Sequence, residues 1–145
     1  MALHLLKLCV GADTVEDLHD WIASGRANWP RGAKRSKRAA HLTRQTPKRA
    51  EEVLAGGSLY WVIKGQIRVR QPLLAFEATV KEGVPHCAIV MEKKLVLTRA
   101  RPCRAFQGWR YLQGKDAPAD TGPFTQGARD GSESLREELV ALGLD

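Results

Sequence analysis

Lys7 and Lys64 are the side chains best suited to react with a substrate. Lys7 and Lys64 each lie in an otherwise apolar, strand-like stretch. Burial disfavours the charged ammonium and lowers the pKa of a lysine, so its amine becomes a better base or nucleophile. Either lysine could work with a carboxylate such as Glu51 or Glu77. The alternative, which we favour, is that both lysines reach solvent from the ends or edges of their strands.

Other reactive side chains are not spaced for catalysis or metal binding. The four histidines are scattered, and none has a cysteine or carboxylate at metal-ligand spacing. His86 and Cys87 are adjacent, so on a strand they point to opposite faces. Three cysteines without a CxxC pair argue against a zinc ribbon or a disulfide framework and indicate a reducing cytoplasm. We therefore expect no metal and no cofactor, and a cytoplasmic protein.

The charge distribution points to a polyanionic partner. Residues 1–115 carry 21 lysines and arginines and 9 acids, whereas residues 116–145 carry 2 and 7, so the body is basic and the tail acidic. Residues 26–49 alone hold nine basic residues and no acid. Such a surface suits nucleic acid, and the alternative is a merely solubilising surface. No apolar run is long enough to cross a membrane.

Aromatic residues are interleaved with these basic residues. Trp29 opens the basic segment, Tyr60 and Trp61 begin a strand-like run, and Trp109 and Tyr111 flank Arg110. Planar rings beside cations are typical of proteins that stack on unpaired bases, although core packing would also explain them. The predicted nucleic-acid-binding residues are Lys7, Trp29, Arg31, Lys34, Arg35, Lys37, Arg38, Arg44, Lys64, Arg68, Arg70, Trp109 and Arg110.

The elements that must position these residues are mostly strands. Thr14 and Asp17 form a capping-box pattern that predicts a helix ending at Gly25, and Thr46 followed by Pro47 predicts the start of a second helix. In "IRVR", Ile67 and Val69 are expected to face the core, with Arg68 and Arg70 facing outward. Strands are predicted at 3–10, 40–45, 58–64, 67–80, 86–92, 95–100 and within 101–113.

The end of the chain differs in composition from the rest. Residues 1–113 are expected to form one domain and 114–132, which are rich in Gly, Pro and Asp, a flexible linker. Residues 133–145 predict a short C-terminal helix with a leucine stripe that could dock on the body or on a partner protein.

Three blocks, "HLLKLCVGADTVEDLHDW", "GGSLYWVIKGQIRVRQ" and "FQGWRYL", resemble the uncharacterised bacterial family named domain of unknown function 1489. More distantly, "LLKLCVGADTVEDL", "GRANWPRGAKRSKRAA" and "AGGSLYWVIKG" follow the order of blocks in EVE domains, and ASCH domains are similar too. Both belong to the PUA-like superfamily. The chain departs from the EVE pattern at Gly57-Ser58, where those domains have Gly-Asp, and at Lys64-Gly65, where they have His-Ser.

The PUA-like resemblance implies an α+β fold: a bent, mainly antiparallel β-barrel of five to six strands with flanking helices. It implies an RNA-binding module whose pocket accepts a modified base, with Lys7, Trp29 and Arg31 near that pocket. We expect a nucleic-acid partner, RNA rather than DNA, and no membrane. The alternative is a small ASCH-like hydrolase acting on modified nucleosides.

Overall fold

The computed structural model describes residues 2–124. Short helices and a 3-10 turn at Gly114–Asp116 accompany eight strands. In chain order the elements are β1 (Leu3–Leu8), α1 (Val15–Ala23), β2 (Arg38–Thr43), α2 (Ala50–Leu54), β3 (Ser58–Ile63), β4 (Gln66–Lys81), β5 (Val84–Glu92), β6 (Val96–Pro102), β7 (Trp109–Gln113) and β8 (Asp120–Pro123).

The strands form one mixed sheet that is not closed into a barrel. Neighbouring strands follow the order β2-β5-β4-β3-β1-β7, while β6 pairs with β4 and β8. The β1–β3 pair is parallel and the other strand pairs within residues 2–124 are antiparallel. The predicted α+β class and mainly antiparallel sheet are confirmed, whereas the predicted barrel of five to six strands is wrong: within residues 2–124 the sheet has eight strands and open edges.

The long strand β4 belongs to two parts of this sheet. Its first half pairs with β3 on one edge and β6 on the other, and its second half pairs with β5. We call the six strands β7-β1-β3-β4-β6-β8 the six-stranded arm and β4-β5-β2 the three-stranded arm. Side chains from both arms, from α1 and from α2 meet in the main core, which includes Leu5, Trp61, Ile89, Leu18 and Val53. The face of each arm that turns toward this core is its inner face.

A β-bulge at Arg68 changes the predicted pattern of "IRVR". Trp61 pairs with Val69, but the next residue of β3, Val62, pairs with Ile67, so Arg68 is the extra residue. As a result Val69 packs in the main core, while Ile67 packs on the other side with Tyr60 and Val62. Both apolar side chains are buried as predicted, but they do not share a face.

The sequence predicts the start of α1 correctly and the start of α2 less well. Thr14 and Asp17 form the predicted capping box at the start of α1. Helix α2 is shorter than predicted: it follows Arg49, with no side-chain hydrogen bond at its N-cap, and Thr46 does not cap it. Gly57 allows α2 to lie against β1, because a Cβ there would be 2.2 Å from the Val53 carbonyl oxygen and 2.3 Å from that of Leu3.

The expected linker begins as ordered structure. Residues 114–124 form the 3-10 turn and β8, which pairs with β6, so a linker over 114–124 is wrong. The rest of that linker and the predicted helix at 133–145 lie outside the described residues. Within 2–124, no helix has both the length and the apolar character needed to cross a membrane.

Candidate functional site

The basic loop that precedes β2 is fixed at both ends. The Trp29 N–H donates to the Arg38 carbonyl at 2.9 Å, and the Asn28 side chain donates to the Ala33 carbonyl at 2.7 Å. The Ser36 hydroxyl donates to the Trp29 carbonyl and accepts from the Arg38 N–H. The chain between these anchors is therefore a closed loop that extends from the end of the three-stranded arm.

Four cations of this loop, which we call the loop cations, are directed to solvent. All four side chains are exposed, and none forms an ion pair with another residue between 2 and 124. An exposed cation without a protein partner can pair with a phosphate at little desolvation cost. The loop cations are Arg31, Lys34, Arg35 and Lys37. Arg38, also predicted to bind, lies 3.8 Å from the Glu77 carboxylate.

Trp29 is a packing residue. Its ring is 9% exposed and contacts Ala88 and Val90 on the outer side of the three-stranded arm. Its indole Nε1 donates a 3.0 Å hydrogen bond to Glu77. With its faces covered, the ring is not placed to stack on a base, so the structure separates Trp29 from the loop cations that surround it in sequence.

The two arginines of "IRVR" also differ. Arg70 donates to both oxygens of Asp120 at 2.8 and 2.9 Å and to the Ser58 hydroxyl at 2.8 Å, tying β4 to β8. The pair lowers the pKa of the Asp120 carboxyl. Arg70 is therefore engaged inside the protein. Arg68 is half-buried at the bulge, without an ion pair within 2–124. Lys64 lies in the exposed β3–β4 turn with φ 49°.

Lys7 lies on the inner face of the six-stranded arm, between two tryptophans. Its register partners are Trp61 on β3 and Trp109 on β7, and directly paired residues share a face. Burial lowers the pKa of its ammonium. The thiol of the nearby Cys9 does not supply a counter-charge at neutral pH, because burial raises its pKa to about 11. Lys7 is thus a half-buried cation, whereas Lys64 is exposed.

His41, on the three-stranded arm, contacts Trp61, the register partner of Lys7. The imidazole contacts the Trp61 ring edge-on, with centroids 5.5 Å apart. Burial first, and then the charges of Lys7 and Lys81, lower the pKa of His41 to about 4. His41 is therefore neutral at physiological pH and can offer one ring N–H as a donor.

A pocket of about 500 Å³ opens beside Trp109. Trp109 and Tyr111 form its aromatic wall, with ring centroids 5.0 Å apart at an interplanar angle of 75°. Lys48 contributes an exposed positive charge. The Arg49 guanidinium lies 5.6 Å from the Tyr111 centroid and is paired with both carboxylate oxygens of Glu52. We call this the aromatic pocket, and its lining residues are Gln45, Thr46, Lys48, Arg49, Trp109 and Tyr111.

Two hydrogen bonds hold the pocket in shape. The Trp109 Nε1 donates to the Gln45 carbonyl at 3.0 Å, and the Arg49 N–H donates to the Tyr111 hydroxyl at 3.0 Å. Both join β7 to the segment between β2 and α2. Arg44, just before this segment, is exposed. Arg110 points to the opposite face of β7, where its guanidinium covers the Phe106 ring at 4.7 Å.

The structure gathers only part of the predicted set. Lys7 and Trp109 are adjacent, while Trp29, Arg70 and Arg110 lie on other faces. Sequence reasoning did not assign His41, Gln45, Thr46 or Tyr111 to the site. The proximity of Trp109 and Tyr111 to one another was readable from the sequence, but their contact with residues 45–49 depends on which strand β7 pairs with.

The proposed lysine–carboxylate pairs are not formed. Glu77 is bound to Trp29 on the outer side of the three-stranded arm, whereas Lys7 lies on an inner face. Glu51 is exposed on α2. Between residues 2 and 124, no group of three or more histidines, cysteines and carboxylates is placed to hold a metal ion.

Comparison with known proteins identifies one family. The family model described as "Protein of unknown function (DUF1489)" matches residues 5–144. No curated protein and no solved structure matches the chain.

Proposed function

The chain belongs to the DUF1489 family, whose description names no activity, and we propose that it is a nucleic-acid-binding module that prefers single-stranded RNA. The observation that carries this proposal is the aromatic pocket, where two aromatic rings and the exposed Lys48 line about 500 Å³ of space. Aromatic rings stack on unpaired bases of any sequence, and adjacent cations neutralise the phosphates of the same strand.

The loop cations extend the positively charged surface beyond the pocket. They precede β2, and the pocket residues follow it, so the length of a six-residue strand separates the two. At about 3.3 Å per residue this is roughly 20 Å. A single-stranded nucleic acid bound to both regions would therefore span several nucleotides. One unpaired base would lie at Trp109 and Tyr111, and the sugar-phosphate backbone would follow the loop.

The proposal also includes a PUA-like relationship, a preference for RNA and a cytoplasmic location. A PUA-like relationship is compatible with the α+β architecture and the mainly antiparallel sheet, in which the long β4 pairs with different strands along its two halves, although the sheet is open. RNA is placed ahead of DNA by the PUA-like resemblance alone, because stacking on unpaired bases serves both nucleic acids. A cytoplasmic location fits three free cysteines.

A second candidate function is hydrolysis of a modified nucleoside. The observation that favours it is Lys7, a half-buried lysine of lowered pKa beside the aromatic pocket. Such an amine can act as a general base. No carboxylate within residues 2–124 forms an ion pair with Lys7, so this candidate stands behind the binding module.

The test is fluorescence anisotropy of the full chain with a labelled 12-nucleotide single-stranded RNA, the matching DNA and the RNA duplex, in 50 to 300 mM salt. We expect the single-stranded RNA to bind most tightly and its affinity to fall steeply with salt. Equal binding of the duplex would remove the stacking argument, and no binding at low salt would remove the proposal. Turnover of acylated or methylated nucleosides, lost in Lys7→Ala, would instead identify the hydrolase.

A further inference from the structure

Lys7 is a half-buried cation without an internal counter-charge. Among residues 2–124, no carboxylate forms an ion pair with it or with His41. Its neighbours in the paired strands are both tryptophans. Taking an ammonium out of water is unfavourable unless an anion compensates it, so this position favours an anion supplied from outside the protein.

Lys7 lies next to the wall of the aromatic pocket. On the β3 side, the edge-on contact between Trp61 and His41 joins the two arms, and Trp61 is only 3% exposed. On the β7 side, Trp109, the other register partner of Lys7, lines the pocket. A ligand in the pocket that extends past Trp109 would therefore meet Lys7, with the buried Trp61 on its far side.

We propose that Lys7 and His41 form a phosphate subsite that binds the terminal phosphate monoester of a nucleotide or oligonucleotide whose base occupies the aromatic pocket. The Lys7 ammonium supplies the charge, and the neutral His41 imidazole supplies one N–H donor. A terminal phosphate monoester suits this subsite better than an internal phosphodiester because its dianion attracts the Lys7 ammonium more strongly than a monoanion does. Only the placement of the base in the aromatic pocket rests on the proposed function.

The first test compares three forms of one trinucleotide RNA, which carry a 5′-phosphate, a 3′-phosphate or hydroxyls at both ends. We expect one phosphorylated form to bind about tenfold tighter than the hydroxyl form. Lys7→Met, which keeps an apolar stem of similar length, should abolish that advantage. Lys94→Met, at an exposed lysine outside both sites, should preserve it. An advantage that survives Lys7→Met, or equal binding of all forms, would overturn the subsite.

A second measurement separates this subsite from the proposed function. Inorganic phosphate alone, added to protein labelled at histidine, should raise the pKa of His41 from about 4 as followed by NMR, because a bound anion favours the imidazolium. The rise should be absent in Lys7→Met. If the trinucleotide binds without a phosphate advantage, the binding module stands and the subsite fails. If phosphate shifts His41 but no RNA binds, the subsite stands as a site for small phosphate monoesters and the binding module fails.

Discussion

Trp109 and Gln45 are joined by a hydrogen bond of 3.0 Å between the indole Nε1 and the backbone carbonyl, across 64 positions of the chain. The bond engages the polar edge of the indole and fixes the orientation of the Trp109 ring beside Tyr111. A stacking ring held in this way loses little side-chain entropy when a base binds. The relationship therefore makes the aromatic pocket a pre-formed site.

Replacing Tyr111 by leucine tests the pocket. Stacking contributes roughly 1–3 kcal/mol per base, so we expect affinity for single-stranded RNA to fall about ten- to a hundredfold. Tyr111→Phe, which keeps the ring and removes only the acceptor of the Arg49 N–H, should bind nearly as well as the wild type. The control is Trp21→Ala, at a tryptophan 41% exposed on α1. Equal losses in Trp21→Ala and Tyr111→Leu would mean that the pocket has no special role.

Replacing the loop cations by alanine tests the backbone contacts. Each phosphate contact to a single strand contributes about 0.7 to the slope of log affinity against log salt, so removing four should flatten the slope by as much as about 3. Arg38 is left in place because it lies near Glu77. The matched control replaces Lys94 and Arg99, which are exposed elsewhere. An unchanged slope in the loop variant would exclude the loop as a docking surface.

Local signals in the sequence predicted the elements better than the way they meet. Thr14 and Asp17 define the start of α1 by themselves, because a capping box is completed within four residues. The bulge at Arg68 depends on the register between β3 and β4, and the inward position of Lys7 depends on the pairing of β1 with β3 and β7. No pattern within a single strand contains that information.

The candidate site shows the same limit. Lys7 and Trp109 were both predicted to bind, and the structure makes them neighbours. Trp29 was predicted from its place beside basic residues, but it fills a small cluster on the outer side of the three-stranded arm. Residue type and spacing identify aromatic and basic groups, whereas burial, which decides whether a ring can stack, follows from tertiary packing.

Trp29→Phe should affect stability and leave binding intact. The substitution removes the indole N–H that bonds Glu77 at 3.0 Å and leaves that carboxylate with one partner fewer. We expect the free energy of unfolding in urea to fall by roughly 1–3 kcal/mol, with RNA affinity unchanged below the unfolding transition. Trp21→Phe, at an exposed site, should change neither quantity. A loss of RNA affinity at unaltered stability would restore Trp29 as a stacking residue.

His41 should make the stability of the fold depend on pH between about 4 and 6.5. Its pKa is about 4 in the folded protein, first because of burial and then because of Lys7 and Lys81, against an unperturbed 6.5. The unfolded chain therefore binds the proton more readily, so the stabilisation is complete above pH 6.5 and is lost as the pH falls toward 4. A shift of this size corresponds to about 3 kcal/mol in all, most of which falls between pH 7 and 4.

The measurement is urea unfolding at pH 7.0, 5.5 and 4.0 for the wild type and His41→Phe, which keeps a ring against Trp61 but cannot titrate. His4, whose pKa is also lowered by burial, is present in both chains and cancels in the comparison. We expect the wild type to lose about 2–3 kcal/mol more than His41→Phe between pH 7.0 and 4.0. Parallel losses in the two chains would mean that the imidazole is solvated in the folded protein and is not buried against Trp61.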